Sequence, residues 1–177
     1  KIIILLLFPA LFVITGCTKN ALTGKSYVSL ISEAQLQEMA VSEYRQFLSQ
    51  SKVLSASSNK DAEMVRRVGT RLAAAAKQYM DSIGAGDKLK GYQWEFNLVD
   101  NNQVNAWCMP GGKIVVYTGI LPITQNEAAL AAVMGHEVSH ALLQHGNQRM
   151  STGIIQQLGG VALSVAVANK PAETQNL

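Results

Sequence analysis

The chain is poor in the features that would mark several classes of protein. It holds two cysteines, Cys17 and Cys108, too few for a disulfide framework. Charged residues make up 15% of the sequence, below the usual quarter, and aromatics only 6%. The formal charge is +3, and no Lys/Arg run is longer than the pair Arg66–Arg67. A nucleic-acid footprint needs basic residues gathered on one face, so this distribution excludes nucleic acid as a partner. Histidine is scarce too: His136, His140 and His145 are the whole complement, and they fall in one short stretch. What remains is 48% hydrophobic over 177 residues, enough for a single domain with a sizeable core.

The first residues bear on the compartment. "KIIILLLFPALFVITGC" opens on Lys1, runs apolar from Ile2 to Ile14 and ends on small residues before Cys17. That run is short of the roughly 20 residues a membrane-spanning helix needs. It fits the apolar region of a secretory signal, the alternative being a short anchoring or buried helix. "ITGC" resembles a bacterial lipobox. Residues 1–16 then form a lipoprotein signal peptide, cleavage follows Gly16, and Cys17 becomes the lipidated first residue. Residues 17–30, polar and rich in Gly, Thr, Ser and Lys, read as a tether between lipid and domain. With Cys17 acylated, Cys108 has no partner and reads as a small buried hydrophobe rather than a catalytic thiol.

Along the chain, "SEAQ" at Ser32–Gln35 predicts a capping box. The helix behind it carries Leu36, Met39, Ala40, Phe47 and Leu48 at helical spacing. Residues 49–59 read as a linker, and a second helix starts near Lys60 with Met64, Val68, Leu72, Ala75 and Tyr79 on one stripe. Strict alternation of Tyr92, Trp94, Phe96 and Leu98 predicts a half-buried strand. "AWCM" and "KIVVYTG" predict two more strands joined by a tight turn at Pro110–Gly112. A long helix capped by Thr124 is expected to run to about Gly146, and a last apolar helix to cover about 151–168. The order helix, helix, small sheet, helix, helix predicts an α+β domain.

"HEVSH" at His136–His140 matches H-E-x-x-H inside the long helix. Residues four apart are separated by about 40° around a helix, so both imidazoles leave one face a turn apart. Two nitrogens so placed suit one tetrahedral zinc ion, expected once per chain. Glu137 projects to the side, placed to serve as general base and acid to water and the leaving amine of a peptide bond. Two imidazoles and a carboxylate have few partners on an apolar helix and are costly to bury unpaired, which argues against a purely structural role. On an unbroken helix His145 is turned about 140° from His140 and cannot join the pair. Near a helix C-terminus it interacts favourably with the dipole, or else it plays a supporting or gating role.

"NEAALAAVMGHEVSHALLQHGNQRM" resembles the active-site helix of the HtpX and CAAX-prenyl-protease type of gluzincin zinc metallopeptidases. "NAWCMPGGKIVVYTGIL" is similar to the strand and turn that precede that helix in the family. The leader and "TKNALTGKSYVSLISEAQ" are similar to its bacterial lipoprotein members, the BepA- and LoiP-like envelope proteases. The resemblance implies a mostly helical, zincin-like fold over residues 31–177, with His136 and His140 as zinc ligands and Glu137 as the catalytic base. It also implies that Asn105, Ala106, Pro110, Gly111 and Gly112 edge a cleft where an extended substrate adds as a strand.

The family's third ligand is a glutamate on a later helix, in an E-x-x-x-D setting. After His140 the sole acidic residue is Glu173, in the polar tail "PAETQNL" without that setting, so the expected domain is truncated at its C-terminus. The resulting expectation is a zinc-dependent metalloendopeptidase acting on misfolded envelope proteins, lipid-anchored and periplasm-facing, in the outer membrane. The alternative is a non-catalytic lipoprotein chaperone or adaptor that retains the fold.

Overall fold

The computed structural model describes the backbone of residues 17–167 and side chains within 18–161. The expected signal segment 1–16 and Glu173 lie outside the described residues. A two-stranded antiparallel hairpin, β1 (Cys17–Lys19) and β2 (Ser26–Val28), leads into α1 (Glu33–Ser49). After β3 (Val53–Leu54) and α2 (Lys60–Ser82) come β4 (Glu95–Val99), β5 (Ala106–Met109) and β6 (Lys113–Tyr117). Three helices follow: the one-turn α3 (Leu121–Thr124), α4 (Glu127–Leu142) and α5 (His145–Val167). This is the expected α+β class. Among the described residues no helix is long and apolar enough to cross a membrane.

The sheet has the order β3-β4-β6-β5, with β4 and β6 parallel and the other pairs antiparallel. Because side chains alternate along a strand, β6 feeds two layers at once. Ile114 and Val116 enter a core with Val65 and Val68 of α2 and Leu130, Met134 and Val138 of α4. Val115 and Tyr117 enter a second one with Tyr44, Phe47 and Trp107, under α1. All five residues of β6 are buried, Lys113 included. That ammonium is satisfied by the carbonyl of Gln93 at 2.6 Å and the carboxylate of Glu95.

Local chemistry decides the element ends. Ser32 and Gln35 form the expected capping box, and Asn59 caps α2 by accepting from the Ala62 amide. The expected linker 49–59 contributes β3, because Val53 and Leu54 find partners in Val99 and Leu98. The expected strand 92–100 begins only at Glu95. Thr124 does not cap the long helix: it closes α3, its hydroxyl donating to Leu121. Gln125 then turns left-handed, and Asn126 becomes the cap by accepting from Ala129 at 2.9 Å. Residues 17–30 differ from the expected tether, since their hairpin is bonded to the body of the domain. Asn20 donates to the Leu143 carbonyl at 2.8 Å, and Leu30 donates to Ser151 at 3.0 Å.

Two details of the main core carry predictions. Gly69 lets α2 approach β4 so closely that a Cβ there would lie 2.2 Å from Cδ1 of Phe96. Alanine favours a helix interior by about 1 kcal/mol over glycine, yet overpacking costs about 1–3 kcal/mol. Gly69→Ala should therefore lower stability by up to about 2 kcal/mol in urea unfolding, against its helix propensity. Cys108 is partly buried on the same face. Burial foremost, then the carboxylate of Glu137, pushes its thiol up to about 12. Only the thiolate reacts, so alkylation of the native protein at pH 8 should be far slower than after unfolding. Equal rates in the two states would contradict this placement.

Candidate metal centre

The helix α4 is oriented by its apolar face. Leu130, Met134, Val138 and Ala141 are buried, following one another at three- and four-residue steps. With that stripe against the sheet and α2, His136 is left exposed and Glu137 and His140 half-buried. The rings of His136 and His140 meet edge to face, with centroids 4.5 Å apart. Their Nε2 atoms lie 3.0 Å from each other. Two nitrogens on one tetrahedral zinc are separated by about 3.3 Å, given bonds of about 2.0–2.1 Å. The pair therefore fits a shared ion with a small ring adjustment. Among the described residues no cluster of three His, Cys, Asp or Glu side chains suited to a metal occurs. α4 packs against β5, and the Glu137 carboxylate is close enough to Cys108 of that strand to help raise its thiol's pKa.

The residues expected to edge the cleft divide into two groups. Asn105 is exposed and Ala106 buried, at the start of β5, with the Asn105 carbonyl accepting from Tyr117 at 3.1 Å. Among the described residues β5 is the last strand of the sheet, bonded to β6 on one side only. Gly111 and Gly112 are buried instead, both left-handed at φ +80° and +81°. Their carbonyls accept from the amides of Gln93 and Glu95, so these two acceptors of the turn are committed to the sheet. Pro110 sits beside Gly146 at the start of α5.

His145 departs most from expectation. The long helix stops at Leu142 rather than running on to Gly146. Gln144 is left-handed at φ +57°, a conformation that costs a non-glycine residue about 1–2 kcal/mol. Hydrogen bonds from other elements hold the break. The Leu143 carbonyl accepts from Asn20 and from the Gln148 side chain. The Gln144 side chain bonds Tyr27 and donates to Glu33 at 3.3 Å. Beyond the break His145 opens α5 instead of closing α4, so the dipole now disfavours its cation. Burial first, then His140 and Arg149, lowers its pKa. Its Nδ1 lies 2.7 Å from Nδ1 of His140. Sequence reasoning missed this contact because it assumed an unbroken helix; Gly146 and Asn147, both poor helix formers, were the available signal.

Known proteins resemble parts of this chain. The chain is 48% identical over 61 residues to mitochondrial metalloendopeptidase OMA1 of Arabidopsis thaliana, covering 34% of this chain and 13% of that protein. It is 35% identical over 72 residues to the beta-barrel assembly-enhancing protease of Yersinia pestis, covering 38% and 15% respectively. Against metalloprotease YcaL of Escherichia coli it is 28% identical over 121 residues, covering 67% of this chain and 45% of that protein. The matches thus span less than half the length of these relatives. The sequence profile of peptidase family M48 matches residues 59–176, more than half of the chain and including the whole of α4, and the chain belongs to that family.

Proposed function

We propose that this chain carries the catalytic helix of a zinc-dependent metalloendopeptidase of the bacterial cell envelope, which hydrolyses peptide bonds in misfolded envelope proteins. The observation that carries the reading is the convergence of the two Nε2 atoms of His136 and His140 on the helix that also carries Glu137. The family is zinc-dependent in general, and the relatives reported above are named as metalloendopeptidase, metalloprotease or protease. His136 and His140 hold one zinc per chain. When bound, zinc polarises the scissile carbonyl and acidifies water. Glu137 would take a proton from the attacking water and return it to the leaving amine, a role that needs its carboxylate free.

Substrate is held by backbone pairing. Among the described residues the outer edge of β5 pairs with no strand, and β5 lies against α4. An extended peptide added there runs past Glu137, with Asn105 and Ala106 at one end of the edge. Pro110, Gly111 and Gly112 shape the other end by fixing the turn. The third zinc ligand lies outside the described residues. The "ITGC" leader supports a periplasm-facing anchor through lipid on Cys17, for which the outer membrane is the proposed site. The name of the Yersinia pestis relative, which refers to β-barrel assembly, supports the same compartment.

Two experiments test these roles. In the full-length protein Glu137→Gln should lower hydrolysis of an unfolded protein such as casein by at least about 100-fold. Zinc content should stay near that of the wild type, whereas His136→Ala and His140→Ala should lose the metal. Substantial turnover by Glu137→Gln would refute the assignment of the base. For the anchor, metabolic labelling with a fatty-acid analogue should mark the wild type and not Cys17→Ser. Equal labelling of both proteins would rule out the lipid on Cys17.

A further inference from the structure

We propose that His145 is a positioning residue for the metal centre: its Nδ1 accepts the Nδ1–H of His140 and holds that imidazole with Nε2 bare toward the metal. The inference rests on the zinc reading of His136 and His140. A neutral imidazole carries one proton on either nitrogen, and only the nitrogen without it can bind a metal. The Nε2 atom of His140 faces the Nε2 of His136, so a shared ion requires the His140 proton on Nδ1. That N–H then needs an acceptor, and the group placed there is His145 Nδ1, at 2.7 Å. His145 completes the arrangement by keeping its own proton on Nε2. Metal-binding histidines usually donate their second N–H to a carboxylate or a carbonyl, and such outer partners set both tautomer and ring orientation. Here a third imidazole takes that place.

The backbone shows that the contact is built. Five residues along an unbroken helix would turn His145 about 140° away from His140. The break at Leu143 and Gln144 removes that turn and brings the ring centroids to 4.9 Å. The break is held from outside α4 and α5, by Asn20 and Tyr27 of the hairpin segment and by Glu33 of α1. Pro110, beside Gly146, closes it on the side of the β5–β6 turn. Elements remote in sequence, the N-terminal hairpin segment, α1 and the β5–β6 turn, thus set the position of one imidazole. A dipole or solubility role for His145 would need none of this.

The test uses full-length protein, zinc alone as the probe and three readouts. His145→Leu fills a similar volume without an acceptor, and zinc affinity measured by chelator competition should fall about 10- to 100-fold. His145→Gln restores an acceptor oxygen and should recover most of that loss. Thermal melts of the metal-free variants should match the wild type, separating positioning from folding. Two-bond nitrogen–proton NMR of the zinc-loaded wild type should show the His140 proton on Nδ1 and the His145 proton on Nε2, a reading that needs no variant. Unchanged zinc affinity in His145→Leu, equal losses in the Leu and Gln variants, or a His140 proton on Nε2 would each overturn the assignment alone. A wild-type protein that binds no zinc would overturn the metal-centre reading and this assignment with it.

Discussion

The arrangement depends on how α4 is clamped. Leu130 and Met134 have no exposed surface and Val138 almost none, and together they key the helix into the core shared by the sheet and α2. Each large side chain buried in this way is worth about 1.5–3 kcal/mol, so rotating the helix to hide His136 or His140 would expose several of them. The polar residues are therefore held at the margin of the core by the burial of their neighbours. At the N-terminal end, Glu127 receives Arg67 and Arg71 of α2, and these exposed pairs add register more than stability. A site made by two residues one turn apart tolerates little rotation, and the buried stripe removes that freedom.

The second constraint is the junction between α4 and α5. A left-handed glutamine is an unfavourable way to end a helix, and it persists because surrounding groups satisfy the freed carbonyls and the glutamine side chain. Tyr92 contributes as well, its hydroxyl directed at the Ala141 carbonyl at 3.4 Å. Burial raises that phenol's pKa, so it stays a donor. The N-terminal hairpin is distant in sequence from the histidines yet is bonded to the backbone that places one of them. Such long-range support makes the geometry of the site a property of the whole domain.

Much of the fold was legible because it follows from local rules. The Ser32–Gln35 box, the stripe on α2, the strand "AWCM" and the glycine turn each depend on chemistry within a few residues. Three features were not. β3 exists only because Val99 and Leu98 accept Val53 and Leu54 as partners, and two residues carry no periodicity to read. The cap of α4 moved from Thr124 to Asn126 because α3 claims the threonine first. The helix end moved from Gly146 to Leu142 because hydrogen bonds from remote residues stabilise a left-handed turn that no local preference predicts.

The sequence by itself determined that His136 and His140 leave one helix face a turn apart with Glu137 to the side, since a spacing of four becomes one face in any α-helix. It also determined that β6 is buried on both sides, since the apolar run of Ile114, Val115 and Val116 leaves no polar face. Tertiary structure alone decided which nitrogens converge, that β5 lies at an edge of the sheet among the described residues, and that His145 returns to His140 instead of turning away. The physical reason is the range of the interactions. Helix pitch and side-chain alternation act over a few residues, whereas sheet order and the break at Gln144 are set by contacts between separate segments of the chain, which for the break lie more than a hundred residues apart, as with Asn20 and Leu143.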